Sequence, residues 1–265
     1  MVNMEKHDST TVIIDEKPEL EDPIFIEGLT GIGHIGRTVV SYLIDQLEAE
    51  KFGELISHHF PHWAIVNEDK QLDILKNEFY YLERDDGRDI VMLIGDAQSL
   101  DPQGHYEVAH SILDVLDDLD VEELITIGGF GTGEVVDEPD IYGVVTKEDL
   151  KEDYEGYNIS FDHSVGQIIG ASGLLLGVGE RYGMDGICLL SETPGFLLSD
   201  PKATEEVLKI LEKMLDFDLD YDNLDEKIEE AQEVIKKIQK LQKQVQEQQH
   251  KGKSEKGGEE LGYIG

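Results

Sequence analysis

Apolar and polar positions follow two rhythms along this chain, and the switches between them mark its elements. Continuous apolar runs at Pro23–Glu27, Asp89–Ile94, Glu123–Ile127 and Gly186–Leu190 are too short for helices and predict strands buried on both faces. Thr11–Ile14, Trp63–Val66, Phe79–Leu82 and Ile141–Val145 are shorter strand candidates. The third reads as antiparallel, and the fourth continues the sheet or forms a hairpin. Between these runs the spacing becomes helical. Val39, Val40, Leu43, Ile44 and Leu47 place one apolar face on a helix over 38–50. Tyr106–Leu119 and Lys202–Leu215 repeat that pattern.

The stretch Gln167–Tyr182 predicts a less ordinary helix. Gly166, Gly170, Gly173 and Gly177 recur at i, i+4, i+7 and i+11, which on a helix aligns them on one face. Glycine weakens a helix, so such a face implies close approach to the sheet or to another subunit.

Strands alternating with helices predict a three-layer α/β fold, a mainly parallel sheet flanked by helices. A polar extension over 1–20 precedes this domain, which spans 21–220. A long C-terminal helix follows within 221–250. Its apolar stripe of Ile228, Ala231, Ile235, Ile238 and Val245, broken by Gln242, either packs on the parent domain or forms a weak coiled-coil seam. Residues 251–265 form a flexible tail.

Charge narrows the classes of partner. The net charge is −37, which repels phosphates and anionic membranes and excludes nucleic acid as a direct partner. Cys188 is the one cysteine, so no disulfide framework is available, as in a reducing cytoplasm. Residues 1–22 lack the apolar core of a signal peptide. The longest apolar stretch, 165–178, is interrupted by glycines and is too short to span a membrane.

Four groups of residues are candidates for chemistry or docking. Gly31-Ile32-Gly33-His34-Ile35-Gly36 is a GxGxxG between strand and helix, which a dinucleotide site would use to hold pyrophosphate. The acid expected about 20 residues on is not at the end of the next strand, so we read the motif as a tight turn with close helix–sheet packing. His58, His59 and His62 could supply imidazoles to zinc, but the spacing fits no helical or finger site, and no metal or cofactor is expected. Asp96, Gln98 and Glu192 end two buried strands, where α/β proteins form ligand crevices. They join Gly31, Gly33 and Gly36 as a crevice candidate. The two acids could form an acid/base pair or serve as helix caps. Leu261, Tyr263, Ile264 and Gly265 are an apolar tip on a solvated arm, either a plug for a pocket elsewhere or a frayed end.

Gly31–Arg37 before a helix, Leu93–Gln98, Thr126–Gly129, the glycine-rich 166–183 segment and Leu189–Gly195 stand in an order that resembles the proteasome assembly chaperone 2 family, in its archaeal branch. The similarity spans roughly residues 23–220. The resemblance implies a phosphorylase-like fold, no catalysis, a homo-oligomer, and proteasome α-subunits or a related assembly protein as partners. It also implies a hydrophobic–Tyr–any-residue tail that inserts between neighbouring α-subunits. Here Tyr263 is third from the end rather than second, which moves its ring by about 3.3 Å along an extended chain. The expectation is a non-enzymatic oligomeric chaperone or adaptor that docks through several tails at once. Its competitor is a phosphorylase- or hydrolase-like enzyme, or a binding protein, that takes a nucleoside-like or phosphorylated small molecule at the crevice.

Overall fold

The computed structural model describes residues 3–6, 9–67, 69–136 and 138–222, together with Leu224 and Ile228. The chain divides into two units, Met1–Tyr221 and Asp222–Gly265. Apart from Tyr221, Asp222, Leu224 and Ile228, the predicted C-terminal helix lies outside the described residues, as does the tail Leu261, Tyr263, Ile264 and Gly265.

The strands are β1 (Asn3–Lys6), β2 (Thr10–Ile14), β3 (Ile24–Gly28), β4 (Glu50–Ser57), β5 (Ala64–Val66), β6 (Leu72–Ile74), β7 (Asn77–Leu82), β8 (Ile90–Gly95), β9 (Glu123–Gly131), β10 (Ile141–Val145) and β11 (Asp185–Thr193). The helices are α1 (Ile35–Leu47), α2 (Pro102–Asp118), α3 (Ala171–Gly179) and α4 (Pro201–Leu215). Nine strands form one sheet in the order β1-β2-β4-β7-β8-β3-β9-β11-β10. Only its centre, β8-β3-β9-β11, is parallel. The flanking pairs are antiparallel, so the sheet is mixed rather than mainly parallel. Strands β7 and β8 follow one another directly, as antiparallel pairing permits, whereas β10 pairs antiparallel with β11 across a connection that contains α3.

The central strands are the apolar runs, and β3 and β11 are buried almost throughout. Cys188 on β11 is fully buried. Helices α1 and α4 pack together on one face, with α2 and α3 on the other. Two helices start at Asp-Pro. Asp101 accepts the amide of Gly104 at 2.9 Å and Asp200 that of Ala203 at 3.1 Å, while each proline takes a first-turn position that needs no donor. The contact between α1 and the sheet depends on glycine. A Cβ on Gly28 would fall 2.4 Å from Val40, and one on Gly36 would fall 2.7 Å from the Ile127 carbonyl.

Several local expectations change. The first helix is displaced to Ile35–Leu47, and β4 begins at Glu50. Trp63–Val66 does not join the main sheet: Ala64–Val66 pairs only with Leu72–Ile74, in a separate two-stranded hairpin. Its apolar side chains are exposed, Leu72 at 75%. The glycine-faced helix is corrected most. Only Ala171–Gly179 is α-helical. Gly166 lies in the non-helical segment before it, and Gly170 is its N-cap with φ 99°, a left-handed value that favours glycine. Gly173 and Gly177 remain helical, but a Cβ on Gly177 would meet nothing. The four therefore share no helical face. The glycine that seats α3 on the sheet is Gly179, where a Cβ would fall 2.7 Å from Leu124.

Candidate functional site

A cavity of about 300 Å³ opens where the parallel strands end. Leu29, Gly31 and Ile32 reach it from the turn between β3 and α1, Gly36 from the first turn of α1, and Gly128–Gly131 from the end of β9. Val165, Gln167, Ile168 and Ile169, in the non-helical approach to α3, close another side. None of its lining residues carries a charge.

Its polar wall is built from below. Ser172, on the first turn of α3, lines the cavity and hydrogen-bonds to Glu27 Oε2 at 2.9 Å. Glu27 is fully buried and also accepts the amides of Leu29 at 2.9 Å and Ile127 at 3.4 Å. Burial pushes its carboxyl up to about 7, against the pull of these three donors. Gln98 ties the cavity walls together: its amide nitrogen donates to the Thr30 carbonyl at 2.6 Å, and its oxygen accepts the Ala171 amide at 2.9 Å.

The predicted crevice residues separate into two sets. Gly31, Gly36 and Gln98 line the cavity, whereas Gly33, Asp96 and Glu192 do not. Asp96 pairs with Arg37 at 3.2 Å. Glu192 accepts the Tyr142 hydroxyl at 2.6 Å, which pushes that phenol up to about 12. The strands β8 and β11 that carry the two acids are separated by β3 and β9. At about 4.8 Å per strand their ends stand roughly 14 Å apart, too far to serve one reacting atom between them. Gly33 adopts φ 66° and turns the chain beside Thr193 and Asp200. Sequence reasoning missed Glu27 and Ser172, because one acid inside an apolar strand carries no pattern that marks it as a floor.

The histidines also separate. His58 and His62 are exposed. Among the described residues no group of three His, Cys, Asp or Glu could hold a metal ion. His59 has a different role. Its Nδ1 lies 2.7 Å from Asp101, and its Nε2 lies 2.7 Å from Ser9 Oγ, an alignment that resembles a serine–histidine–aspartate relay. The Ser9 hydroxyl, however, donates its one proton to Glu107, at 2.7 Å. Nε2 is then placed to donate to Ser9 and Nδ1 to Asp101, an arrangement that favours the protonated ring over a free base. Asp101, then Glu107, raises the His59 pKa. The cluster is a clamp between the start of β2 and the start of α2.

The class is then a three-layer α/β protein with an uncharged cavity at its strand ends. The PAC2 family profile matches residues 25–239, and the chain belongs to the PAC2 family. It is similar to Pyrococcus furiosus PbaB, described as an archaeal proteasome activator, with 40% identity and a TM-score of 0.83 over 88% of this chain and 100% of that one. Pyrococcus furiosus PbaA, described as an archaeal homolog of proteasome-assembly chaperone, shares 27% identity and a TM-score of 0.68 over 91% and 99% of the two chains. An uncharacterized protein of Methanocaldococcus jannaschii is 34% identical over 218 residues, 82% of this chain and 83% of that protein. No described helix is long and apolar enough to cross a membrane.

Proposed function

We propose that this chain is a non-enzymatic, cytoplasmic chaperone or adaptor of the proteasome. It self-associates and captures its partner through the C-terminal segment Leu261–Gly265. The observation that carries this reading is the similarity to PbaB, described as an archaeal proteasome activator, which covers 100% of that solved chain at 40% identity. The separation of Asp96 from Glu192 and the clamping of His59 between Ser9 and Asp101 favour docking over chemistry. Several tails on one oligomer would convert weak single contacts into firm capture.

The test is native mass spectrometry of the chain with proteasome core particles from the same cell. The full chain is expected to form a complex, and a chain lacking Leu261–Gly265 is expected to lose it while keeping its own oligomeric mass. Equal capture by both chains refutes the tail.

One observation supports a second reading, that of a ligand-binding protein: the cavity of about 300 Å³ is at the lower end of small-molecule sites. A thermal-shift screen of nucleosides and phosphate checks it, since a saturating ligand of the folded state raises the melting temperature.

A further inference from the structure

Every large apolar side chain that stands exposed among the described residues lies at one end of the molecule, where the parallel strands finish. Ile32 is on the turn after β3, Leu100 precedes α2, Tyr106 is the fifth residue of α2, and Phe196 and Leu198 follow β11. Ile169, 85% exposed, stands at the cavity mouth. The β5–β6 hairpin leaves the main sheet at this same end, because β7 begins with Asn77 opposite Gly95, the last residue of β8. Monomeric proteins rarely leave so much apolar surface together without using it.

The charge pattern says what kind of surface fits. The segments 29–34, 163–170 and 194–199 contain no Asp, Glu, Lys or Arg, in a chain of net charge −37. Around them, at the same end, stand the exposed acids Asp69 and Asp73 of the hairpin and Glu134, Glu138 and Asp140 of the loop after β9. Lys70 is an exposed cation beside them, and Arg37, with its side chain 39% exposed, is paired with Asp96. An apolar centre within an acidic rim complements an apolar patch flanked by basic residues. A second copy of this chain would bring a further acidic rim against the first, and like charges so juxtaposed are costly.

We infer that this end of the sheet is a docking face for a partner protein whose contact surface has an apolar centre flanked by lysine or arginine. The uncharged cavity is the socket for one apolar side chain of that partner, the buried anchor on which such interfaces rely. The face belongs to the unit Met1–Tyr221 and is separate in sequence from the tail.

The test uses the full chain and three fluorescent peptides, read by anisotropy at low and at high salt. One has a Leu/Phe core flanked by lysines, one the same core flanked by glutamates, and one a Ser/Gly core flanked by lysines. Only the first is expected to bind and to retain measurable binding at high salt. Ile169→Asp combined with Leu198→Asp is expected to weaken it by about tenfold or more, although both changes add negative charge. Unchanged or tighter binding would mean simple attraction of a cation to an acidic protein, and overturns the proposal. Equal binding of the Ser/Gly peptide overturns it as well. Should the aspartate variant misfold, Ile169→Ser with Leu198→Ser tests the same loss. Light scattering of wild type and variant provides a separate check: an oligomer that the substitutions dissociate would make this face a self-interface, contrary to the proposal. The chain lacking Leu261–Gly265 is expected to bind the first peptide as well as the full chain does, which separates this result from that of the tail experiment.

Discussion

Glu27 illustrates how much one buried proton can control. When the carboxyl is ionised, Ser172 donates to it. When it is neutral, its O–H can donate to Ser172, whose hydroxyl then turns to the Ile127 carbonyl 3.2 Å away. Both states are hydrogen-bonded, but burial favours the neutral one and raises the pKa from 4.5 to about 7. The folded state therefore holds this proton where the unfolded state releases it. Its contribution is complete below the unfolded value near 4.5 and is lost as pH rises through about 7, a change on the order of 3 kcal/mol. His59 leans the same way, since its raised pKa stabilises the fold below the ordinary histidine range and the gain is lost as pH rises through the folded value. Between pH 5.5 and pH 8 unfolding free energy is expected to fall by about 2 kcal/mol of this total, with a matching fall in melting temperature. In Glu27→Gln, which cannot ionise, most of that slope should vanish. A slope equal to that of wild type would mean that Glu27 is ionised across the range.

At the scale of elements, apolar rhythm foretold the central strands because they are buried on both faces and admit little else. The Asp-Pro starts of α2 and α4 were likewise written in local chemistry. The 166–183 segment misled because glycine spacing looks helical on paper, while Gly170 at φ 99° begins the helix rather than continuing it. Strand β4, with lysine and glutamates among its apolar positions, carries no clean alternation, and only its antiparallel neighbours β2 and β7 define it. Three of the six crevice candidates line the cavity because strand ends meet there. The acids fail to meet because strand order, which local pattern does not encode, keeps them apart. Gly36→Ala tests the seat of α1 on β9: its methyl would press on the Ile127 carbonyl, and denaturant unfolding should register a loss of about 1–3 kcal/mol. Replacing Trp63–Ile74 by a short glycine–serine turn should alter stability by less than about 1 kcal/mol, since an exposed hairpin contributes little to the core.

For the whole molecule, net charge is the dominant fact. With 59 acidic and 22 basic side chains, the compact state repels itself, and salt relieves that repulsion. The melting temperature should rise steadily with potassium chloride. A flat or falling curve would mean that local ion pairs, such as Lys51 with Glu54 and Glu78, outweigh the long-range field. Salt should at the same time weaken the charged component of partner capture while sparing the apolar one.

Cys188 has a practical consequence. It is the sole thiol of the chain, fully buried, and burial pushes its pKa up to about 12, so almost none of it is thiolate at neutral pH and maleimide dyes should leave the folded wild-type protein unmarked. One cysteine placed at Leu72 on the hairpin, or within 261–265, would then carry the only fluorophore or spin label in the molecule. The native protein is already a background-free host for distance measurements to whatever it binds.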